Sequence, residues 1–337
     1  MLHASLLYDS VQFAAEDRVL VLNSAADPFV MRAAHGLLMG RLLLAEDNIA
    51  VLGTLPQAFP LHVQHVPYHD YILQHPPATM DTAVMNIIYQ PANSWMLYGL
   101  QVAAFALKPS GRLYLAGPKD RGIVTMAKRM KEVFGNVETL TISKGQRVLC
   151  SRKRADFSLD PASIMPLDMF AESKLDEGTR HLLDAIEVRA TDEALDLGCG
   201  AGFIGFHIAR QATSGQVTMV DASLAAVAAV QQAAQQQGLT NVHVLPSNGA
   251  QAVLGQRFSL VATNPPFHMG GIQTLQIAER FIREAAQVLT PNGRFYLVAN
   301  RFLKYEPTLN ACFTSVQEVS GDSRYKVLLA LGEKARG

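Results

Sequence analysis

The sequence predicts an α/β fold made of two related domains. Three observations support this prediction: the chain length, an alternation of strand-like and helix-like segments, and a repeat shared by the two halves. The chain has 337 residues, about twice the ~150 residues of a typical domain. Apolar residues make up 49% of it and charged residues 17%, a composition that suits buried cores and excludes a disordered chain.

The repeat is a segment in which a helix end, a Pro/Gly turn and a buried strand follow one another. The first copy is Leu107–Ala116 and the second is Leu289–Val298. Each copy is followed at a similar interval by a Phe-x-x-Val motif and a closing strand. Strands that alternate with helices favour largely parallel sheets. We therefore expect two α/β domains, residues 1–153 and 154–337.

Cysteine usage and the absence of targeting signals predict a soluble cytoplasmic protein. The three cysteines, Cys150, Cys199 and Cys312, are widely spaced and form no CxxC motif, which excludes a disulfide scaffold and a Cys-rich zinc site. The N-terminus resembles no signal peptide, and no apolar run is long enough to span a membrane. Four histidines between His62 and His75 have irregular spacing, so no metal site is expected.

Basic residues are concentrated in one block of the chain. The formal net charge is zero, yet residues 119–154 contain 10 basic and 3 acidic residues. Such a block can bind RNA phosphates; a solvated helix followed by an ordinary linker is the alternative interpretation. The candidate RNA-binding residues in the block are Lys128, Arg129, Lys131, Arg152, Lys153 and Arg154.

A glycine-rich loop in the second half predicts a nucleoside-containing cofactor. The strand Ala194–Leu197 leads into Gly198, Cys199, Gly200 and Gly202, and a helix is predicted over Phe203–Gln211. Glycines allow a ligand to approach the backbone closely. The carboxylate of Asp196 at this loop disfavours a pyrophosphate, which binds at helix N-termini. It suits an amine or a sulfonium cation instead, and S-adenosylmethionine carries both.

Two further strand ends supply candidate contacts to that cofactor. The strand Val217–Val220 ends at Asp221, 19 residues after Gly202, where an acid can accept hydrogen bonds from both ribose hydroxyls. The strand Val242–Leu245 leads to Asn248, which is placed for polar contact with adenine, although an ordinary turn would also explain this segment.

The tetrapeptide Asn264-Pro265-Pro266-Phe267 follows a buried strand predicted over Phe258–Thr263. Prolines terminate strands well, but the motif also suits a specific chemistry. The Asn264 side-chain oxygen and the Pro265 carbonyl can accept both hydrogens of a planar exocyclic amine and aim its lone pair at an electrophile, so that positioning supplies most of the rate. Phe267 can stack on the base, and His268 is placed to contact RNA.

The glycine loop, Asp221 and the Asn-Pro-Pro-Phe motif together resemble class I (Rossmann-like) S-adenosylmethionine-dependent methyltransferases that act on exocyclic amines. Within a tandem two-domain chain, the sequence is more similar to the RsmC/RlmG family of ribosomal RNA guanine-N2 methyltransferases, with the small-subunit (16S) type nearest. The specific motifs lie between Phe170 and Asn300.

The resemblance implies a catalytic C-terminal domain and a degenerate N-terminal copy that binds RNA or has a structural role. The first-half loop Asn23–Asp27 has no glycine. The segment near Ile88–Pro91, expected to correspond to the Asn-Pro-Pro motif, lacks that sequence. By the same resemblance the cofactor-binding residues are Asp196, Gly198, Cys199, Gly200, Gly202, Asp221, Ala222, Asn248 and Asn264, with Lys174, Asp176 and Thr179 closing over the cofactor. A helix N-cap at Asp176 is an alternative explanation of that last segment.

We therefore expect an enzyme that methylates a guanosine N2 amine in 16S ribosomal RNA, or in the small subunit, by direct in-line transfer from S-adenosylmethionine. The catalytic candidates are Asn264, Pro265, Pro266 and Phe267. The alternatives are a large-subunit (23S) guanine-N2 methyltransferase, a protein glutamine-N5 methyltransferase and a non-catalytic RNA-binding assembly protein.

Overall fold

The computed structural model describes residues 6–56, 62–157, 159, 163–164, 167, 175–266 and 272–334, without the side chains of 272–274. The chain forms two compact units, Met1–Asp168 and Met169–Gly337. Among the described residues, the last strand of the first unit ends at Arg152 and the first helix of the second unit begins at Glu177.

The first unit contains seven strands and six α-helices among its described residues. The strands are β1 (Arg18–Leu22), β2 (Arg41–Glu46), β3 (Val63–Pro67), β4 (Met80–Asn86), β5 (Leu107–Pro118), β6 (Glu138–Ser143) and β7 (Gln146–Arg152). The helices are α1 (Leu6–Ser10), α2 (Phe29–Gly36), α3 (Ile49–Leu52), α4 (Tyr71–Gln74), α5 (Asn93–Ala106) and α6 (Ile123–Phe134).

The described residues of the second unit form seven strands and five α-helices. The strands are β8 (Ala194–Leu197), β9 (Val217–Asp221), β10 (Val242–Pro246), β11 (Phe258–Thr263), β12 (Leu289–Asn300), β13 (Phe313–Gly321) and β14 (Tyr325–Glu333). The helices are α7 (Glu177–Ala185), α8 (Phe203–Gln211), α9 (Leu224–Gln236), α10 (Ile272–Val288) and α11 (Glu306–Cys312).

The two sheets have the same strand order. It is β3-β2-β1-β4-β5-β7-β6 in the first unit and β10-β9-β8-β11-β12-β14-β13 in the second. Five strands of each sheet are parallel, and the last two in the order pair antiparallel. The order reverses between β8 and β11, and ligands of open α/β sheets bind at the carboxyl ends of the strands at such a point. The predicted tandem α/β fold is confirmed.

The second sheet is buried on both faces, which explains why its central strands are almost wholly apolar. Successive side chains of a strand point to opposite faces. Leu195 and Leu197 of β8 therefore join one core cluster, together with α10, whereas Ala194 joins the other, together with α8 and α9. Asp196 alternates with Leu195 and Leu197, so its carboxylate is directed to the second of these faces and is fully buried.

The elements near the predicted loop form where the sequence predicts them. Strands β8 and β11 and helix α8 have the predicted bounds. Each repeated segment forms one long strand, β5 or β12, that includes the predicted Pro/Gly turn. At this turn the pairing of the strand with its parallel neighbour, β4 or β11, shifts register. The closing strand β7 pairs antiparallel with β5, and β14 pairs antiparallel with β12.

Candidate active site

The predicted cofactor residues lie at one edge of the second sheet, beyond the carboxyl ends of four adjacent strands. In the register of the sheet Asp196 pairs with both Met219 and Ala262, and Asp221 pairs with Pro246. Hydrogen bonds tie the strand ends together. The amides of Gly198 and Cys199 donate to the Val220 carbonyl at 2.9 Å, and the Thr263 hydroxyl donates to the Leu197 carbonyl at 2.6 Å.

The glycine loop has a backbone that requires glycine at three positions. Gly198, Gly200 and Gly202 have φ angles of +78°, +51° and +81°, in the left-handed region that other residues rarely adopt. A Cβ built on Gly200 would meet no described atom within 4 Å. The loop therefore presents bare backbone to open space, where a ligand can approach closely. The Cys199 thiol is buried, and burial raises its pKa well above the ordinary value, so it remains neutral.

Asp196 provides a buried acceptor beside this loop. Its Oδ2 accepts a hydrogen bond from the Gly205 amide at 2.8 Å, whereas Oδ1 has no hydrogen-bond partner within the described part of the chain. Burial, with a smaller contribution from the charge of Asp221, raises the pKa of Asp196 to about 7. A buried acceptor without a donor is costly, and a cationic amine in the loop would satisfy it.

Asp221 is held at the end of β9 by backbone amides. Its Oδ2 accepts from Gly200 at 2.8 Å and its Oδ1 from Ser223 at 2.9 Å. Burial raises the pKa of this carboxyl, and the hydrogen bonds from Ser223, Gly200 and Ala222 oppose that effect. A carboxylate has about four lone-pair sites, so this one can also accept a hydrogen bond from a ribose hydroxyl.

Asn248 follows β10 at the same edge. The Ser247 amide donates to the Asp221 carbonyl at 2.8 Å, which fixes this turn beside the Asp221 backbone. The Oδ1 of Asn248 is buried, and none of the described residues donates a hydrogen bond to it. It is therefore a second free acceptor, at the position expected for adenine.

Asn264 is held by two residues that we expected on the cofactor. Its Nδ2 donates to Thr179 Oγ1 at 2.7 Å and to Asp176 Oδ2 at 3.2 Å. Asp176 also caps α7, because its Oδ1 accepts from the Thr179 amide at 2.9 Å. The structure therefore places Asp176 and Thr179 against Asn264. The Oδ1 of Asn264 is buried, with no donor to it in the described ranges.

Three predicted site residues, Lys174, Phe267 and His268, lie outside the described residues. Pro265 is buried and Pro266 is exposed.

The basic block is less available to RNA than its charge indicates. Lys153 is only 7% exposed, its Nζ donates to the Leu107 carbonyl at 2.8 Å, and burial lowers its pKa; an interior role in the first unit replaces the expected RNA contact. Arg129 pairs with Glu132 and Arg154 pairs with Asp156. Lys128, Lys131 and Arg152 are exposed.

An exposed aromatic residue that sequence reasoning missed follows β12, the neighbour of β11. Phe302 is 77% exposed. It lies in a turn closed by a hydrogen bond of 2.9 Å from the Leu303 amide to the Asn300 carbonyl. Because β12 is the parallel neighbour of β11, this ring lies at the same end of the sheet as Asn264. Its position directly after a buried parallel strand is the signal that could have identified it.

The corresponding edge of the first unit keeps part of this geometry. The Asn23 amide donates to the Ala45 carbonyl, as the Gly198 amide donates to the Val220 carbonyl. The Ala25 amide donates to Glu46 Oε2 at 2.9 Å, as the Gly200 amide donates to Asp221. Val21 pairs with Val84, as Asp196 pairs with Ala262. This register aligns Asn86 with Asn264, two residues before the segment that the sequence indicated.

Side chains fill that edge of the first unit. The Nε2 of Gln90 donates to the Asn23 carbonyl at 2.9 Å and its Oε1 accepts from Asn23 Nδ2 at 3.3 Å. Asn86 Nδ2 donates to Asp27 Oδ2 at 2.8 Å, and Asp27 occupies the position of Gly202. All four side chains are buried. The apolar Val21 stands where the second unit has Asp196.

Metal sites and membrane-spanning helices are two further features that the described residues do not show. Within the described ranges no group of three or more His, Cys, Asp or Glu side chains is arranged to hold a metal ion. In the same part of the chain, no helix combines the length and apolar character that crossing a membrane requires.

Comparisons with known proteins agree with this geometry. Residues 164–329 match the family model described as the methyltransferase small domain. A ribosomal RNA small subunit methyltransferase C from Pseudoalteromonas atlantica is 33% identical over 270 residues, which cover 74% of this chain and 77% of the relative. The enzyme of the same name from Shewanella halifaxensis is 27% identical and covers 88% of this chain and 97% of the relative.

A solved structure matches nearly the whole chain. The T. thermophilus 16S rRNA N2 G1207 methyltransferase (RsmC), in complex with AdoMet and guanosine, superposes with a TM-score of 0.82 and 28% identity. The match covers 99% of this chain and 92% of that one. From these similarities, the chain belongs to the ribosomal RNA small subunit methyltransferase C family.

Proposed function

We propose that this chain transfers a methyl group from S-adenosylmethionine to the exocyclic N2 amine of a guanosine in 16S ribosomal RNA. The observation that carries the proposal is the Asn264 side-chain oxygen, which none of the described residues contacts as a donor. It lies at the edge that also holds the glycine loop and two further buried acceptors without donors in the same part of the chain. The family membership supports both the substrate and the cofactor.

The residues at this edge fit S-adenosylmethionine. Asp196 Oδ1 would accept a hydrogen bond from its amino group, and Asp221 would accept from the ribose hydroxyls. Asn248 Oδ1 would accept from the exocyclic amine of adenine, and the space beside Gly200 admits the methionine portion. When bound, this cofactor supplies an electrophilic methyl group on a sulfonium.

Asn264 would orient the guanine amine. A planar amine has two hydrogens, and the Asn264 side-chain oxygen and the Pro265 carbonyl are two acceptors on adjacent residues. Two such bonds fix the plane of the amine and direct its nitrogen toward the methyl group. The amine can lose its proton after transfer, so no strong base is needed before attack. The rate then depends mainly on orientation.

The RNA would bind through an aromatic contact and exposed cations. Sequence-specific recognition of RNA uses unstacked bases that stack on aromatic side chains. Phe302 is exposed at the end of the sheet that carries Asn264 and suits that role. The exposed Lys128, Lys131 and Arg152 would contact phosphates. We assign the first unit, whose corresponding edge is filled by its own side chains, an RNA-binding or structural role.

The test is methylation by the purified full-length chain with labelled S-adenosylmethionine, offered naked 16S RNA, small subunits, 23S RNA or protein fractions. We expect N2-methylguanosine in the 16S RNA, identified by mass spectrometry of nuclease fragments. Label in 23S RNA or in a glutamine side chain would contradict the proposal and support one of the alternative enzymes. Failure to bind S-adenosylmethionine in calorimetry would favour a non-catalytic assembly protein.

An Asn264→Ala variant tests the role of the amide. We expect cofactor affinity within about threefold of the parent chain and a loss of turnover of roughly 100-fold or more, the size seen when a preorganised hydrogen-bonding group is removed from an active site. Asn292→Ala, in the exposed turn between the two parts of β12, is the matched control. Parental turnover in Asn264→Ala would remove the proposed role.

A further inference from the structure

We propose that Asp176, Thr179 and Pro266 are positioning residues that keep the Asn264 side-chain oxygen free and directed at the substrate amine. This inference deepens the proposed function and rests on it. The hydrogen bonds of the Asn264 amide and the contrast with Asn86 in the first unit support it independently.

The first argument is the direction of the hydrogen bonds behind Asn264. Thr179 Oγ1 donates to Asp176 Oδ2 at 2.6 Å. A carboxylate accepts and cannot donate, and a hydroxyl has one proton. Thr179 Oγ1, with its proton committed to Asp176, can therefore only accept from Asn264, at 2.7 Å. Asp176 Oδ2 is a second acceptor for the same Nδ2, at 3.2 Å.

These contacts determine which end of the amide faces the substrate. If the amide were rotated by 180°, its oxygen would face the carboxylate of Asp176 and a hydroxyl oxygen without a free proton, so three acceptors would meet. Only the orientation with Nδ2 toward Asp176 and Thr179 gives both of these acceptors a donor. The oxygen then points away from α7 and has no donor among the described residues.

The packing of helix α7 fixes the positions of Asp176 and Thr179. Thr179 is 4% exposed and Leu182, one turn later, is fully buried in the core. A Cβ on Gly178 would lie 3.0 Å from the Tyr325 ring, so the first turn of α7 packs closely on β14. The acceptors behind Asn264 are therefore fixed before substrate binds.

The second argument comes from the residue two positions after each asparagine. In the first unit, Asn86 Oδ1 accepts from the Ile88 amide at 3.2 Å, the local bond that asparagine readily makes to the backbone two residues on. The corresponding residue in the second unit is Pro266, which has no amide hydrogen. The same local bond is therefore impossible for Asn264, and its oxygen stays available to a ligand.

The decisive variant is Asp176→Asn, which keeps an acceptor for capping α7 but turns the second oxygen into a donor. That NH2 group would donate to Thr179 Oγ1, the Thr179 proton would turn to Asn264, and Asn264 would present its own NH2 group to the substrate. We expect kcat on 16S RNA to fall roughly 100-fold, with KM for RNA and Kd for S-adenosylmethionine within threefold. Asp184→Asn, exposed on the same helix, is the control.

Three further variants separate positioning from folding. Thr179→Val should lose kcat to a similar extent, and Thr179→Ser, which restores the hydroxyl, should recover most of it. Pro266→Ala restores the amide hydrogen and should lower kcat at least tenfold, whereas Pro291→Ala in an exposed turn should not.

Several outcomes would overturn the inference. One is a parental kcat in Asp176→Asn, and another is an equal kcat in Thr179→Val and Thr179→Ser. A third is a loss of cofactor affinity that parallels the loss of kcat, which would indicate that Asp176 and Thr179 bind the cofactor instead. If Asp176→Asn fails to fold, the comparison of Thr179→Val with Thr179→Ser decides. If the parent chain is inactive on 16S RNA, the proposed function itself is refuted. The variant comparisons test only the positioning role.

Discussion

The Asp196→Asn substitution should make the chain more stable at neutral pH and weaken its binding of the cofactor. Asp196 is fully buried, with one oxygen bonded to Gly205 and the other without a donor among the residues described. In the ligand-free chain above pH 7, this carboxyl is therefore a buried negative charge. Asp196→Asn removes that charge and can keep the bond from Gly205.

The size of the effect follows from the pKa of this carboxyl. Its rise from 3.8 to about 7, at about 1.4 kcal/mol per pH unit, corresponds to about 4 kcal/mol for ionising the buried group. Because the pKa is raised in the folded state, the folded chain binds more protons than the unfolded chain between pH 4 and pH 7. The stability of the parent therefore falls as pH rises through this window. Relative to Asp196→Asn, the parent should lose about 3 kcal/mol between pH 5 and pH 8.

Urea denaturation at pH 5 and pH 8 would measure this difference. Far-UV circular dichroism follows both units, and fluorescence of Trp95, the single tryptophan, identifies the transition of the first unit. Calorimetry should show S-adenosylmethionine affinity reduced roughly 10- to 100-fold in Asp196→Asn, the cost of one hydrogen bond to a charged group. A stability difference that is the same at both pH values, or parental affinity in the variant, would refute the reasoning.

Two other predictions concern the RNA and the first unit. Phe302→Ala should raise KM for 16S RNA about tenfold or more, because base stacking on an aromatic contributes ~1–3 kcal/mol, while kcat stays near the parental value. An unchanged KM would exclude the contact. Leu38→Ala, which removes a similarly exposed apolar side chain from the first unit, is the control. Calorimetric titration of the full chain should give one S-adenosylmethionine per chain, because Gln90 and Asp27 fill the corresponding edge of the first unit. A stoichiometry of two would contradict that interpretation.

The sequence predicted those parts of the fold and site that local chemistry determines. Strands β8 and β11 are short apolar runs, and α8 begins where a glycine with positive φ ends the loop. The three loop glycines follow from the close backbone approach at that turn. Asp221 was identifiable because the end of the second parallel strand lies beside the loop.

Contacts between residues far apart in sequence could not be predicted in the same way. Asp176 and Asn264 are 88 residues apart, and a helix cap explains the motif around Asp176 nearly as well as a cofactor contact does. The structure shows that Asp176 caps α7 and also accepts a hydrogen bond from Asn264. Lys153 appeared to belong to a basic surface, but its ammonium group satisfies the Leu107 carbonyl inside the first unit. Charge counting does not reveal which cations are buried.

The two units together show which features of such an edge identify a cofactor site. Glu46 and Asp221 both end the second parallel strand of their units, and both accept an amide hydrogen from the loop. A carboxylate there holds the loop whether or not a ligand binds, so it is weak evidence for a cofactor on its own. The discriminating features are acceptors left without donors. Asp196 and Asn264 each keep one among the described residues; Val21 has no acceptor to offer, and the oxygen of Asn86 is used by Ile88. At the positions of Asp196 and Asn264, the second unit therefore retains acceptors that a ligand must complete, whereas Asn86 of the first unit is bonded within its own unit.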